Sequence, residues 1–158
     1  MPEFKFLQIE DTFITEKNTN LIGKIGEDFA AQFLVRRGFR LVCSNFKVPI
    51  GRNRRGAAVT GEIDLIALDK DSLCFIEVKT RSSDEFSSPL AAVDLRKQRQ
   101  ITRTAKIYRK IFGLQNAKFR YDVVSIILND EKPPKIELFK GFWTENKFRK
   151  KFWNDEIR

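Results

Sequence analysis

The sequence predicts an α/β fold in which helices cover a central sheet, and three observations carry that prediction. A helical period comes first, three strand-like runs follow it, and a second helical period precedes a near-continuous apolar run, FRYDVVSIIL. An apolar run without alternation reads as a strand covered on both faces, so it belongs in the interior of a layered sheet. The chain has 158 residues and is 42% hydrophobic, which suffices for one core and is short for two.

Residues 1–19 show no clean period and read as an N-terminal extension. From Asn20, a good N-cap, LIGKIGEDFAAQFLVRR sets Ile22, Ile25, Phe29 and Phe33 at helical spacing, and Gly38 is suited to stop the helix. RLVCSNFKV is the first strand, GRNRRGA a basic Gly-flanked turn, VTGEIDLIALD a longer second strand and SLCFIEVKTR the third. After the loop SSDEFSSP, Asp94 caps a helix in which Gln98, Ile101, Ala105, Tyr108 and Phe112 recur at three and four, and Gly113 can close it. FRYDVVSIIL and, after Pro133-Pro134, KIELFK complete the strands. Residues 141–158 form a basic aromatic tail, and from Thr144 they predict a short amphipathic helix carrying Phe148 and Phe152. The order is α, three strands, α, two strands, with residues 20–140 as the domain and the tail packed upon it.

Composition narrows the chemistry. Thirty Lys plus Arg against twenty-one Asp plus Glu give a net charge of +9, and a pI near 9.7 points to a polyanion such as nucleic acid, although ribosomal and membrane-surface proteins share that balance. The absence of histidine excludes Ser-His-Asp hydrolysis, HExxH metalloproteases and His-dependent nucleases, so hydrolysis here would use carboxylates, lysine and a hard metal. Cys43 and Cys74 stand singly in apolar strand runs and read as small buried hydrophobes in a reducing cytosol. No window approaches the roughly eighteen apolar residues of a membrane span, and acidic residues interrupt the start MPEFKFLQIED where a signal peptide would be apolar. The expectation is a cytoplasmic protein without membrane attachment.

The second and third strands carry the one constellation with chemical content. A two-residue turn at Lys70-Asp71 sets Asp69 opposite Ser72, hence Asp64 opposite Glu77 and Glu62 opposite Lys79, all four on one face. Two carboxylates about 5 Å apart at an effective dielectric near 20 repel by roughly 3 kcal/mol, so something should compensate. A divalent cation would, and oxygen ligands favour Mg²⁺ or Mn²⁺. Lys79, two residues after Glu77, could then reach a water or phosphate beside the ion. The competing reading is a cross-strand Glu62–Lys79 salt bridge with Asp64 and Glu77 in solvent; spacing alone does not decide between the two.

The ordered motifs GKIGEDFAAQFL, GEIDLIALD, FIEVKTR, a Lys-containing helix and FRYDVV resemble the bacterial YraN-like family over roughly residues 22–128. That family is similar in fold to archaeal Holliday junction resolvases and the PD-(D/E)XK superfamily. The resemblance implies a restriction-endonuclease-like αβββαβ core with a central mixed sheet, and a metal-dependent endonuclease acting on DNA, branched or nicked DNA included. It makes Asp64 and Glu77 metal ligands, Lys79 the catalytic lysine and the Val78 carbonyl a further ligand. Glu27 becomes the helix carboxylate completing the site, with Gly23 and Ala31 one turn either side to allow close approach; otherwise Glu27 is a surface acid. Lys97 and Gln98 fall where such nucleases place a site-proximal Lys or Gln, the alternative for Gln98 being an exposed helix start. Ile63, not Pro, precedes Asp64, and the GRNRRGAAVT stretch and the tail after Phe139 look added. Junction-cleaving relatives act as symmetric dimers, which leaves a homodimer open.

Nucleic-acid contacts are expected from Arg81 and from Arg52, Arg54 and Arg55 on the turn, which could equally be solvated. Lys97, Arg99, Arg103, Lys106, Arg109 and Lys110 on the second helix could line a duplex or serve solubility. Trp143, Phe148, Phe152 and Trp153 should pack on the protein's own core rather than stack on bases. A catalytically silent nucleic-acid-binding module is the main alternative function and a protein scaffold the next, because fold does not settle function.

Overall fold

The computed structural model describes residues 19–82 and 93–149, which leaves the N-terminal extension, most of the SSDEFSSP loop, Phe152 and Trp153 outside the described residues. The elements are α1 (Thr19–Arg36), β1 (Arg40–Arg52), β2 (Ala58–Asp69), β3 (Ser72–Ser82), α2 (Leu95–Ile111), β4 (Phe119–Leu128) and β5 (Lys135–Trp143). They form a five-stranded sheet in sequence order, antiparallel except for the β3–β4 pair, which is parallel. A parallel pair needs a crossover connection, and α2 supplies it. This is the α/β architecture of a restriction-endonuclease-like core, a mixed sheet with one helix on each face.

Both helices end as their glycines predict. At Gly38 (φ 89°) the Phe39 N–H donates to the Leu34 carbonyl and the Gly38 N–H to that of Val35, the paired bonds of a Schellman stop. Gly113 (φ 66°) repeats the pattern with Leu114 donating to Arg109 and Gly113 to Lys110. Asp94 caps α2, its Oδ1 accepting from the Lys97 N–H at 2.8 Å. The N-cap predicted at Asn20 is displaced, because α1 already includes Thr19 and Asn20 lies in its first turn.

Two cores follow from the two faces. Ala30 and Leu34 of α1 cover Leu65, Ala67, Cys74, Ile76, Val78, Val124 and Ile126. Ile101, Ala105 and Tyr108 of α2 cover Ile63, Ile66, Leu73, Phe75, Tyr121 and Val123. Phe112, predicted to continue the buried stripe of α2, is instead 56% exposed, its ring 4.7 Å from that of Tyr108 at the helix end. β5 runs three residues past KIELFK to Trp143, which stacks on Tyr121 at 4.8 Å and donates its indole N–H to Thr102 Oγ1 at 2.9 Å. Among the described residues the segment after Thr144 is a 3₁₀ turn, Glu145–Phe148, and the rest of the predicted helix, Phe152 included, lies outside them. Tyr121 donates its hydroxyl to Glu145 Oε1 at 2.8 Å and Arg109 pairs with the same carboxylate, so side-chain bonds hold this turn. Among the described residues both cysteines are free, and no helix is long and apolar enough to cross a membrane.

Candidate active site

The turn at Lys70-Asp71, with Lys70 at φ 56°, sets the β2–β3 register as predicted, from Asp69 opposite Ser72 to Leu65 opposite Ile76. There the ladder stops. Before Leu65, β2 pairs only with β1, and beyond Ile76, β3 pairs only with β4, so the two strands part as a fork. Asp64 stands at the point of parting. Its Oδ2 accepts the Val78 N–H at 2.8 Å, a side-chain bond where a ladder bond would otherwise be. Asp64 therefore does not simply face Glu77 across a ladder. Ile63 and Ile66 both belong to the α2 face, so the two-residue alternation slips between them, and the expectation that Glu62, Asp64, Glu77 and Lys79 share a face fails. Glu62 pairs instead with Lys47 of β1, at 3.7 Å, and not with Lys79.

Glu77 keeps the regular alternation of β3 and points to the α2 side, where it is 3% exposed. Lys79 Nζ lies 3.2 Å and Lys97 Nζ 3.7 Å from its Oε1, while its Oε2 is buried with no hydrogen-bond partner. Burial first, and then the Asp64 charge, raise the Glu77 pKa to about 7, against the pull of Lys97 and Lys79. Structures seldom leave a buried carboxylate oxygen unpartnered, because it costs about 1–3 kcal/mol.

Glu27 approaches from α1. Its pKa is raised by partial burial and then by Asp64, and the Asn45 side chain, a hydrogen-bond partner, opposes the shift. Asp64 thus lies between two acids, Glu27 on one side of the sheet and Glu77 on the other. Asn45 went unsingled in the sequence, and its signal was slight: it adopts φ 51° in the middle of β1, a conformation Asn tolerates better than most residues, at the step opposite Asp64. Gly23, expected to allow the close approach of α1, has open space around it, and Ala31 is half-buried; the approach is made at Gly26.

The remaining predicted residues divide. Lys97 joins the cluster through Glu77. Gln98 is buried and turned inward, its Nε2 donating to the Val93 carbonyl at 2.8 Å and its Oε1 accepting from Lys147 Nζ at 3.1 Å, so it is not an exposed helix start. Arg81 is half-buried two residues beyond Lys79 on β3 and has interactions of its own. Arg52, Arg54 and Arg55 are exposed at the β1–β2 turn, where Arg52 Nη1 donates to the Gly56 carbonyl at 2.7 Å. Six strand residues, roughly 20 Å, separate that turn from Asp64, so the structure does not bring these arginines to the acids.

What the arrangement can hold follows from its donors. Asp64 and Glu77 offer hard oxygen ligands, and Glu77 Oε2 is an acceptor without a hydrogen-bond partner. Among the described residues no group of three or more candidate ligands is gathered closely enough to hold an ion alone. Mg²⁺ suits such a partial shell, since it binds through one or two carboxylates and completes its coordination with water and phosphate oxygens.

Residues 26–126 match the family described as Uncharacterised protein family UPF0102, and that span contains Glu27, Asp64, Glu77, Lys79 and Lys97. UPF0102 protein TTE1452 of Caldanaerobacter subterraneus subsp. tengcongensis is 39% identical over 115 residues, covering 73% of this chain and 86% of that protein. A UPF0102 protein of Dictyoglomus turgidum is 40% identical over 131 residues, 83% of this chain and 99% of the relative. Among solved structures, SSO0001 aligns with a TM-score of 0.38 at 16% identity, over 82% of this chain and 55% of that one, too distant to carry an argument. The chain belongs to UPF0102, the YraN-like family its motifs resemble.

Proposed function

We propose that this protein is a Mg²⁺- or Mn²⁺-dependent endonuclease that hydrolyses DNA phosphodiester bonds, branched or nicked DNA included, at the fork between β2 and β3. The observation that carries the reading is the buried Glu77 carboxylate, one oxygen shared by two lysines and the other unpartnered, beside Asp64. A fold has no structural use for a carboxylate left in that state, whereas phosphodiester hydrolysis needs one.

When bound, the ion would lower the pKa of an attacking water and offset the charge of the phosphate. The chain's own residues do the rest. Asp64, fixed by the Val78 N–H, and Glu77, fixed by its strand, hold their oxygens in place before anything binds. Asp64 and Glu77 would hold the ion, and Lys79 and Lys97, which lie against Glu77 Oε1 in the free protein, supply two ammonium groups beside the place a substrate phosphate would take. There Lys79 orients the water and stabilises the charge that develops on the phosphate oxygens as the phosphorus–oxygen bond breaks. The surplus of +9 and the arginine-bearing β1–β2 turn would hold the polyanion away from the reacting bond.

A second reading, a nucleic-acid-binding module without turnover, draws support from the absence of a three-ligand cluster among the described residues. One experiment separates them. Mn²⁺ is titrated by calorimetry into the wild type and the Asp64→Asn/Glu77→Gln double mutant, and both are assayed on labelled linear, nicked, flap and four-way-junction DNA. Metal binding and cutting should vanish together in the mutant. Salt-sensitive, metal-independent DNA binding with no cutting by either protein would select the module.

A further inference from the structure

Of the two glycines in α1, one lies directly against the sheet. A Cβ built on Gly26 would lie 1.8 Å from Thr80 Oγ1, 2.9 Å from its Cβ and 3.1 Å from its Cγ2, so the helix backbone rests directly on the threonine side chain. Gly23, one turn earlier, meets nothing within 4 Å. Of the two glycines, only Gly26 is pressed against a sheet side chain. Gly26 precedes Glu27 in α1, and Thr80 follows Lys79 and stands three residues after Glu77 in β3. Thr80 Oγ1 is itself buried without a hydrogen-bond partner, so the contact is steric and is not secured by a bond that could be made elsewhere.

We infer that Gly26 and Thr80 act as a spacing gauge: their contact fixes how far α1 stands from β3, and so where Glu27 stands relative to Asp64 and Glu77. They are positioning residues and touch no substrate. The inference rests on the proposed nuclease reading only in what the spacing is for; the spacing itself is a property of the free protein. No L side chain at position 26 fits without moving the helix or the threonine: turning Thr80 about χ1 removes the clash with its hydroxyl but leaves its Cβ at 2.9 Å, and that Cβ is fixed by the pairing of Thr80 to Ile126 of β4, so the helix must give. A residue that merely filled space would cost stability when replaced. A gauge also misplaces Glu27, and trimming the other partner should undo that.

The test compares wild type, Gly26→Ala and the exchange Gly26→Ala/Thr80→Gly. Backbone amide NMR shifts of Glu27, Asp64 and Val78 read the geometry without metal or DNA, Mn²⁺ affinity is read by calorimetry, and kcat and KM are read on DNA. Gly26→Ala should displace those amide shifts, weaken Mn²⁺ binding about tenfold and lower kcat at least tenfold with KM changed less than threefold. The exchange should return all of them toward wild type while its melting temperature stays lower, because the glycine weakens β3. Wild-type shifts and Mn²⁺ affinity in Gly26→Ala would overturn the gauge, as would an exchange variant that does not return. Displaced shifts that do return, in a protein whose wild type cuts no DNA, would uphold the gauge and overturn the nuclease reading alone.

Discussion

Asp122 and Glu77 are buried acids on adjacent strands, one step apart in the β3–β4 register, and they face opposite sides of the sheet. Asp122, fully buried, is surrounded by donors: Arg120 Nε reaches its two oxygens at 2.8 and 3.0 Å, and the Gly141 N–H donates at 2.9 Å. Arg120 continues to Asp69 at 2.8 Å, where Lys140 joins at 3.0 Å, so this face carries a closed network of charges. Glu77 has two ammonium groups on one oxygen and nothing on the other. Similar burial with opposite bonding separates a carboxylate whose oxygens are both used within the fold from one whose second oxygen is not, and on the proposed function the latter is a ligand.

Replacing the two acids should therefore give opposite results, and the larger effect belongs to Asp122. Asp122→Ala leaves Arg120 paired with Asp69 but takes away its second carboxylate and leaves the Gly141 N–H without its acceptor, a loss of about 1–3 kcal/mol. Urea denaturation would show it, and a loss under about 1 kcal/mol would mean that the network is ornamental to stability. Glu77→Gln should leave the metal-free protein at pH 8 no less stable, and more stable by on the order of 1 kcal/mol, because burial and the Asp64 charge disfavour the ionised carboxylate more than its two lysines favour it. Cleavage should fall at least a thousandfold, about 4 kcal/mol in the barrier. A Glu77→Gln protein that is clearly destabilised would place Glu77 with Asp122 as a structural group.

The sequence made one of these faces easier to read than the other, for physical reasons. A two-residue turn fixes a register outright, so the pairing from Asp69 to Leu65 followed from Lys70-Asp71; the Asp94 cap and the stops at Gly38 and Gly113 were legible in the same local way. Where a ladder ends is not a local property. The slip at Asp64 occurs beside LIAL, a run buried on both faces, and in such a run a change of face leaves no trace in the hydrophobic pattern. The regular register therefore pairs Glu62 with Lys79 where the structure pairs it with Lys47, and helical spacing around Glu27 points to Gly23 and Ala31 where the glycine against the sheet is Gly26. Glu27, Asp64, Glu77, Lys79 and Lys97 were all singled out by motif and family resemblance, but not the division of labour in which both lysines share one oxygen of Glu77. The helical period already places Gln98 on the stripe with Ile101 and Ala105, but neither a site-proximal contact nor an exposed helix start foretells its two amide partners, which lie five and forty-nine positions away.

pH gives the smallest effect and the sharpest contrast between the two faces. Glu77, raised to about 7 from 4.5, still holds a proton in the folded protein over a range where the unfolded chain has released it. Stability of the metal-free protein should therefore fall as pH rises from about 4.5 to 7 on this account. Asp69 has the opposite sign: hydrogen bonds from Arg120 and Lys140 hold its pKa below 3.8, so its contribution is present above that value and is lost as pH falls through the folded one. Melting temperatures from pH 3 to 9 should peak on the acid side of neutrality. Glu77→Gln should flatten only the alkaline slope, and Asp69→Asn only the acid one. On the proposed function Mn²⁺ would displace the same proton from Glu77, so its affinity should rise by up to about tenfold per pH unit below 7 and level off above it. If melting and Mn²⁺ affinity both proved flat across neutrality, Glu77 would already be ionised and paired in the free protein, and the contrast with Asp122 would collapse.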